Sequence, residues 1–260
     1  MLCIRVAVPS KSSLEAFFKD NHRVAIGFSG GVDSSYLVHV AASERADALP
    51  VFIKTPFIRD SEQRDAEEFC RRRGIRMEVV DIDLYSDESV VSNGPDRCYH
   101  CKRAMFEKVI EVARENGCDV VADGTNASDP VDDRPGVRAL RELGIRSPLR
   151  DSDLSKSAIR RISRMDRLET WNKQSNSCLA TRIETGVRIT PDLIGRVAAS
   201  EDAVAALGFS GIRVRTDGRS AKVQFTKSQI ADARARADEI KEAVAPYFDD
   251  VGIDDKVRDD

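Results

Sequence analysis

Along the first half of the chain, short apolar runs alternate with stretches whose apolar residues recur every three or four positions. Val24-Ala25-Ile26-Gly27-Phe28 is a continuous apolar run, the pattern of a strand buried on both faces. Residues 33–46 place Tyr36, Leu37, Val40 and Ala41 on one face of a helix. The pattern then predicts a strand at 49–53, a helix at 61–73 ended by Gly74, a strand at 76–80, a helix at 99–115 ended near Asn116-Gly117, and a strand at 120–122. Strands alternating with helices predict an α/β fold, an open and mostly parallel sheet covered by helices on both faces.

Beyond this point the pattern weakens. Residues 127–136 are rich in Asp, Pro and Gly and read as an ordered loop, and residues 155–165 read as a basic helix. The character changes near Gly186. A helix at 191–207 is followed by strands at 212–215 and 221–225 around Asp217-Gly218, a hairpin signal, and by a helix at 227–245. This predicts a larger domain over residues 1–185 and a small α+β domain over residues 186–260, with the acidic tail after Pro246 expected to fray or in part to pack.

Composition narrows the class. Of the 260 residues, 41% are hydrophobic and 33% charged, as in a globular protein with a real core. No apolar run is long enough to span a bilayer and the first residues carry no signal-peptide pattern, so the expected location is the cytoplasm. There, six cysteines point to metal, cluster or catalytic roles over disulfides. A net charge of −3 offers no general attraction to nucleic acid.

The sharpest chemical signal is Ser29-Gly30-Gly31-Val32-Asp33-Ser34-Ser35, lying after the first strand and opening the first helix. Adjacent glycines let backbone N–H groups approach an anion, and the helix N-terminus behind them favours negative charge. Ser29, Ser34 and Ser35 can donate hydroxyl hydrogen bonds, and Asp33 can help hold Mg²⁺. The Gly-Lys-Ser/Thr ending of a Walker A loop is absent. The motif resembles the pyrophosphate loop of the PP-loop ATP pyrophosphatases, which implies ATP cleavage that leaves AMP on the substrate. Asp123-Gly124-Thr125-Asn126, just after the fourth strand, stands where ligands of open α/β sheets collect; alone it also fits a plain turn.

Three further stretches narrow the resemblance: Arg97-Cys98-Tyr99-His100-Cys101-Lys102; Asp132-Asp133-Arg134-Pro135-Gly136-Val137-Arg138 with Arg146-Ser147-Pro148-Leu149; and Ser177-Cys178-Leu179-Ala180-Thr181-Arg182-Ile183. With the phosphate loop, their order and spacing over most of residues 20–230 resemble the LarE-type ATP-dependent sacrificial sulfur transferases. The resemblance implies a small-molecule nucleotide substrate, pyridinium-3,5-biscarboxylic acid mononucleotide. It also implies adenylation of a carboxylate, attack by sulfur and a homo-oligomer.

The residues suit such chemistry. A carboxylate is a poor electrophile until coupling to AMP supplies a good leaving group, and sulfur must arrive as a thiolate or hydrosulfide. Cys178, between small polar residues and shortly before Arg182, is the natural carrier. Cys98 and Cys101 form a C-x-x-C that can equally be a redox pair or half of a zinc site. Within the family, Cys98, Cys101 and Cys178 together resemble the branch that holds a 4Fe–4S cluster, whose open iron carries sulfide from a donor. His100 is expected to face solvent, and Cys3, Cys70 and Cys118 read as structural.

Arg134 lies in a basic stretch and is read as nucleotide-binding; the resemblance places Lys156 by the α-phosphate. Arg213 and Arg215, two apart on one strand, share a face and suit phosphate recognition or charge protection of an edge. The resemblance assigns them, with Arg182 assisting, to the substrate's 5′-phosphate. Relatives often carry Pro-Tyr-Gly where this chain has Glu184-Thr185-Gly186, and Glu where it has Gln224. Competing readings are a PP-loop tRNA thiolase, an ammonia-using amide synthetase and a nucleotide-binding module without catalysis.

Overall fold

A computed structural model describes residues 9–130, 134–174 and 177–258. It divides into two compact units that are not consecutive in sequence. One comprises residues 1–54, 60–82 and 98–173, the other 55–59, 83–97 and 174–260. The expected cut near residue 186 runs along the chain, whereas the second unit also recruits two earlier segments.

The first unit carries the α/β fold expected from the alternation. Its four strands are β1 (Arg23–Gly27), β2 (Asp47–Lys54), β3 (Glu78–Asp81) and β4 (Val120–Ala122), all parallel, in the order β3-β2-β1-β4. Val24, Ala25 and Ile26 are successive and all fully buried, so both faces of β1 are covered. On one face Ala25, Val51 and Ile53 pack with Phe106, Val109 and Leu140 from the helices Arg97–Glu115 and Pro135–Glu142. The helices Val32–Ser43 and Lys156–Met165 pack against each other. A helix over Pro9–Asp20, which buries Leu14 and Phe18, had a readable spacing of Leu14, Phe17 and Phe18.

The strand order decides where a site forms. The chain runs outward from β1 to β2 and β3, then returns to place β4 on the other side of β1. The loops leaving β1 and β4 therefore diverge at a switch point, where open α/β sheets leave a crevice for ligands.

The second unit holds a three-stranded mixed sheet. β5 (Arg213–Thr216) and β6 (Ser220–Gln224) pair antiparallel as expected around Asp217-Gly218, where the Asp217 carboxylate accepts the N–H groups of Arg219 and Ser220 at 2.9 and 2.7 Å. The tail, expected to fray or in part to pack, contributes β7 (Asp250–Ile253), parallel to β6. Val251 and Ile253 alternate with Asp250 and Gly252 over four residues, too short a pattern to mark a strand by itself, and the ladder to β6 supplies the order. The helix Pro191–Ala206 starts as predicted, with Thr190 capping the Leu193 N–H at 3.1 Å. The single helix expected at 227–245 is two, Ile230–Ala235 and Ala237–Val244, broken at Arg236. The Arg236 guanidinium donates to the Leu207 carbonyl at 3.1 Å, a tertiary bond that no local signal encodes. Among the described residues, no helix is long and apolar enough to cross a membrane.

Candidate functional site

The phosphate loop is shaped from within. The Ser29 N–H donates to Ser34 Oγ at 3.3 Å, and the two serine hydroxyls lie 3.1 Å apart. The Ser34 hydroxyl donates to the Gly31 carbonyl at 3.4 Å. Gly30 has φ +64, and a Cβ there would stand 3.1 Å from the Ala66 Cβ, so both conformation and space call for glycine. Gly31 caps the helix Val32–Ser43 in extended conformation with no side-chain cap bond, so the first helical N–H groups keep no side-chain partner at that position. The loop after β4 closes on this turn: a Cβ on Gly124 would lie 3.1 Å from the Ser34 nitrogen. The two glycine-bearing motifs thus meet where the strand order puts the switch point.

Charge is arranged around the loop. Lys156, the first residue of its helix, donates to Asp33 Oδ2 at 2.5 Å. Burial pushes the Asp33 carboxyl above the usual carboxylate range, and Lys156 pulls back against it. Asp33 Oδ1 and Ser35 Oγ are buried with no hydrogen-bond partner among the described residues. A polyphosphate with a divalent cation needs such a set: open N–H groups, an ionisable oxygen without a partner, and cations beside it. The residues present fit ATP and Mg²⁺.

Other expected nucleotide contacts are differently occupied. Asn126 Oδ1 accepts the Ser128 N–H at 2.8 Å, shaping the turn, and Thr125 donates to Asp123. Asp123 also accepts from Ser147 at 2.7 Å. Arg134 is exposed and serves as N-cap of the helix Pro135–Glu142, so Arg134-Pro135-Gly136 starts a helix where the ordered loop was expected to continue, with Pro at a first-turn position that needs no N–H. Asp132, Asp133 and Cys3 lie outside the described residues.

Two basic side chains in the first unit make contacts that had no signal in the sequence. Lys173 Nζ lies 3.1 Å from the Gly30 carbonyl and 2.8 Å from Asp65 Oδ2. Arg160 donates to the carbonyls of Trp171 and Lys173, both at 2.9 Å, and so fixes the backbone that carries Lys173. Sequence reading left Arg160 within a basic helical face.

In the second unit, Cys178 precedes a 3-10 turn, Leu179–Arg182, and is half-buried. Its carbonyl accepts the Thr181 hydroxyl at 2.7 Å, and the Leu179 N–H donates to the Phe57 carbonyl at 2.9 Å. Arg182, expected to assist substrate binding, is buried and braces this turn: Nη1 donates to the Ser177 carbonyl at 2.8 Å and Nε to Glu201 Oε1 at 2.8 Å. Glu201, which sequence reading missed because it sits on an ordinary helical face, also accepts from Arg59 at 3.1 Å and from the Val214 N–H at 3.1 Å.

Arg213 and Arg215 share one face of β5, as predicted. Burial, then the nearby charges of Arg258, Arg182 and Arg215, pull the Arg213 guanidinium down to about 10. Such crowding of like charges favours an anion between them. Beside them a cleft of about 370 Å³ is lined by Arg182, Arg215, Lys222, Ser220, Asp217 and Asp254, among others. Gln224 accepts from Arg215 at 3.4 Å.

Cys98 and Cys101 occupy the first turn of the helix Arg97–Glu115, Cys98 exposed and Cys101 half-buried with its thiol 3.8 Å from the Met105 sulfur. His100, expected to face solvent, is half-buried because its ring packs edge-on against Tyr99 at 5.2 Å. Among the described residues, no group of three or more His, Cys, Asp or Glu that could hold a metal ion is found. Burial pushes the Cys70 thiol up to about 11, in keeping with a structural cysteine.

No protein-family model matches the chain. It is 31% identical to the pyridinium-3,5-bisthiocarboxylic acid mononucleotide synthase of Lactiplantibacillus plantarum, over 85% of this chain and 81% of that protein. It is also 31% identical to an uncharacterised protein of Methanocaldococcus jannaschii, over 97% of this chain and 95% of that protein. A tRNA-specific 2-thiouridylase of Clostridioides difficile is 29% identical over 47% of this chain and 40% of its own length, a similarity confined to part of each protein. With its phosphate loop at the switch point of a parallel sheet, the chain belongs to the LarE-type family of PP-loop, ATP-dependent sulfur transferases.

Proposed function

We propose that this enzyme adenylates a carboxylate of pyridinium-3,5-biscarboxylic acid mononucleotide and converts it to a thiocarboxylate with sulfur from Cys178. The reading is carried by the similarity to the Lactiplantibacillus plantarum synthase over most of both chains. The loop accounts for the first half of the reaction. Backbone N–H groups at Gly30 and Gly31, with Ser29, Ser34 and Ser35, hold the phosphates, and Gly124, Thr125, Asn126 and Arg134 hold the rest of the nucleotide. ATP brings Mg²⁺, for which Asp33 supplies an oxygen, and Lys156 stands by the α-phosphate. A substrate carboxylate oxygen bonds to the α-phosphorus while pyrophosphate leaves. The Cys178 thiolate then attacks the acyl carbon, AMP leaves, and a thioester forms. Loss of the Cys178 Cα proton and cleavage of its Cβ–S bond release the thiocarboxylate and leave dehydroalanine.

Arg213 and Arg215 take the 5′-phosphate of the acceptor, with Arg182 holding the cysteine turn. The reaction proposed here uses Cys178 as the sulfur source; the second reading keeps the sulfur on a 4Fe–4S cluster held by Cys98, Cys101 and Cys178. The protein acts as a homo-oligomer, which light scattering checks.

The test is product analysis with ATP, Mg²⁺ and the acceptor. Expected are AMP, pyrophosphate and thiocarboxylate, with dehydroalanine at position 178 by mass spectrometry; ADP and phosphate would overturn the reading. Iron and acid-labile sulfide in anaerobic protein, lost together with activity in Cys98→Ala/Cys101→Ala, would replace the sacrificial route by the cluster. Arg215→Ala is expected to weaken the acceptor by about 1.5–3 kcal/mol, as for a lost hydrogen bond to a charged group, with ATP affinity unchanged. Weaker ATP binding with acceptor binding intact would remove Arg215 from that role.

A further inference from the structure

Lys173 stands at the phosphate loop without a part in the scheme above. Its ammonium is 3.1 Å from the Gly30 carbonyl, on the glycine whose conformation and close packing shape the loop. The other lysine at the loop, Lys156, is already held by Asp33 at 2.5 Å. The loop itself lacks the lysine that a Walker A motif aims at phosphate oxygens. A triphosphate entering this loop would therefore find Lys173, which meets the loop through a neutral carbonyl, less committed to the loop than Lys156, which faces the Asp33 carboxylate.

The way Lys173 is held supports this. Its backbone is fixed: its N–H donates to the Thr170 carbonyl at 3.0 Å, and its carbonyl takes the Arg160 guanidinium at 2.9 Å. Among the described residues, its ammonium is held by the Gly30 carbonyl and by Asp65, whose side chain is 57% exposed. A pair with so exposed a carboxylate contributes little and exchanges readily for a multiply charged phosphate. A rigid base and an exchangeable head are what a phosphate-binding lysine requires.

We propose that Lys173 is a further catalytic residue, leaving Asp65 to bind the terminal phosphates of ATP and the departing pyrophosphate. The inference rests on the AMP-forming reading. In the adenylation step a carboxylate oxygen bonds to the α-phosphorus. The bond from that phosphorus to the bridging oxygen breaks, with its electron pair on the bridging oxygen. The pyrophosphate gains one negative charge, which the Lys173 ammonium faces while keeping its proton. Asp65 competes with the phosphate for the same ammonium.

The experiment compares wild type, Lys173→Gln, Lys173→Arg and Asp65→Asn for AMP formation and for inhibition by added pyrophosphate. In Lys173→Gln, kcat is expected to fall at least about tenfold and pyrophosphate inhibition to weaken by about tenfold, as for loss of a charge-assisted phosphate contact. Lys173→Arg restores most of both, and Asp65→Asn tightens pyrophosphate inhibition. A structural pair between Lys173 and Asp65 would instead make Asp65→Asn resemble Lys173→Gln, and that outcome overturns the proposal. So does Lys173→Gln with kcat and pyrophosphate inhibition unchanged. Should Lys173→Gln fail to fold, Lys173→Arg and Asp65→Asn still decide: near-wild-type turnover in the first with tighter pyrophosphate inhibition in the second supports the proposal, and weaker pyrophosphate inhibition in Asp65→Asn overturns it. Formation of ADP by the wild type would defeat the AMP-forming reading whatever position 173 does.

Discussion

Asp33 is a carboxylate held at a cost. Burial raises its pKa above the unfolded value and Lys156 only partly offsets this. The folded protein therefore binds more protons than the unfolded one between the two pKa values. This group's contribution to stability is greatest below the unfolded pKa and is lost as pH rises through the folded pKa. At neutral pH the ionised Asp33 thus lowers stability, and Asp33→Asn is expected to melt no lower than wild type while losing Mg²⁺-dependent pyrophosphate release. Thermal scans at pH 7 beside pyrophosphate assays test both; a clear fall in Tm would show that the Lys156 pair outweighs burial. Glu201 presents the opposite case. It is buried with two arginines on its oxygens. Glu201→Ala leaves the buried Arg182 uncompensated and is expected to cost about 3–5 kcal/mol in urea denaturation, as for removal of one partner from a buried pair. A loss below about 1 kcal/mol would mean that water replaces the carboxylate there.

At the scale of elements, the strand–loop–helix joint from β1 to Val32–Ser43 carries two separate constraints on one glycine. Gly30→Ala must hold φ +64 and also press its methyl against Ala66. Ala66→Gly removes the second constraint and leaves the first. Gly30→Ala is expected to lose ATP binding and about 1–3 kcal/mol of stability, the range for a residue held in an unfavourable backbone region. Gly30→Ala/Ala66→Gly is expected to recover only part of that stability, read by the denaturation midpoint. Full recovery would show that contact, not backbone conformation, dominates.

For the whole molecule, the second unit is assembled from three segments, so its C-terminal part alone is incomplete. Phe57, fully buried, comes from residues 55–59, and Asn93 from residues 83–97 donates to the carbonyls of Glu184 and Val187 at 2.8 and 2.9 Å. A fragment of residues 174–260 is expected to give no cooperative thermal transition. Adding the missing segments by expressing the full chain restores one, as near-ultraviolet circular dichroism will report. A cooperative fold in the isolated fragment would show that these segments decorate the unit without completing it.

The apolar alternation of the first half was sufficient to read the parallel sheet, because strands such as Val24-Ala25-Ile26 are buried on both faces and carry little else. The phosphate loop was also legible, since glycines, serines and an aspartate at one strand end are a local requirement of anion binding. Tertiary structure decided what depends on distant partners. Tail residues 250–253 become a strand only because β6 offers a parallel edge. Arg182 becomes a brace only because Glu201 lies beside it, and Lys173 reaches the loop only because Arg160 fixes its backbone. Local pattern encodes local conformation and the chemistry of a single loop; which charge meets which, 19 residues apart or 143, is set by packing.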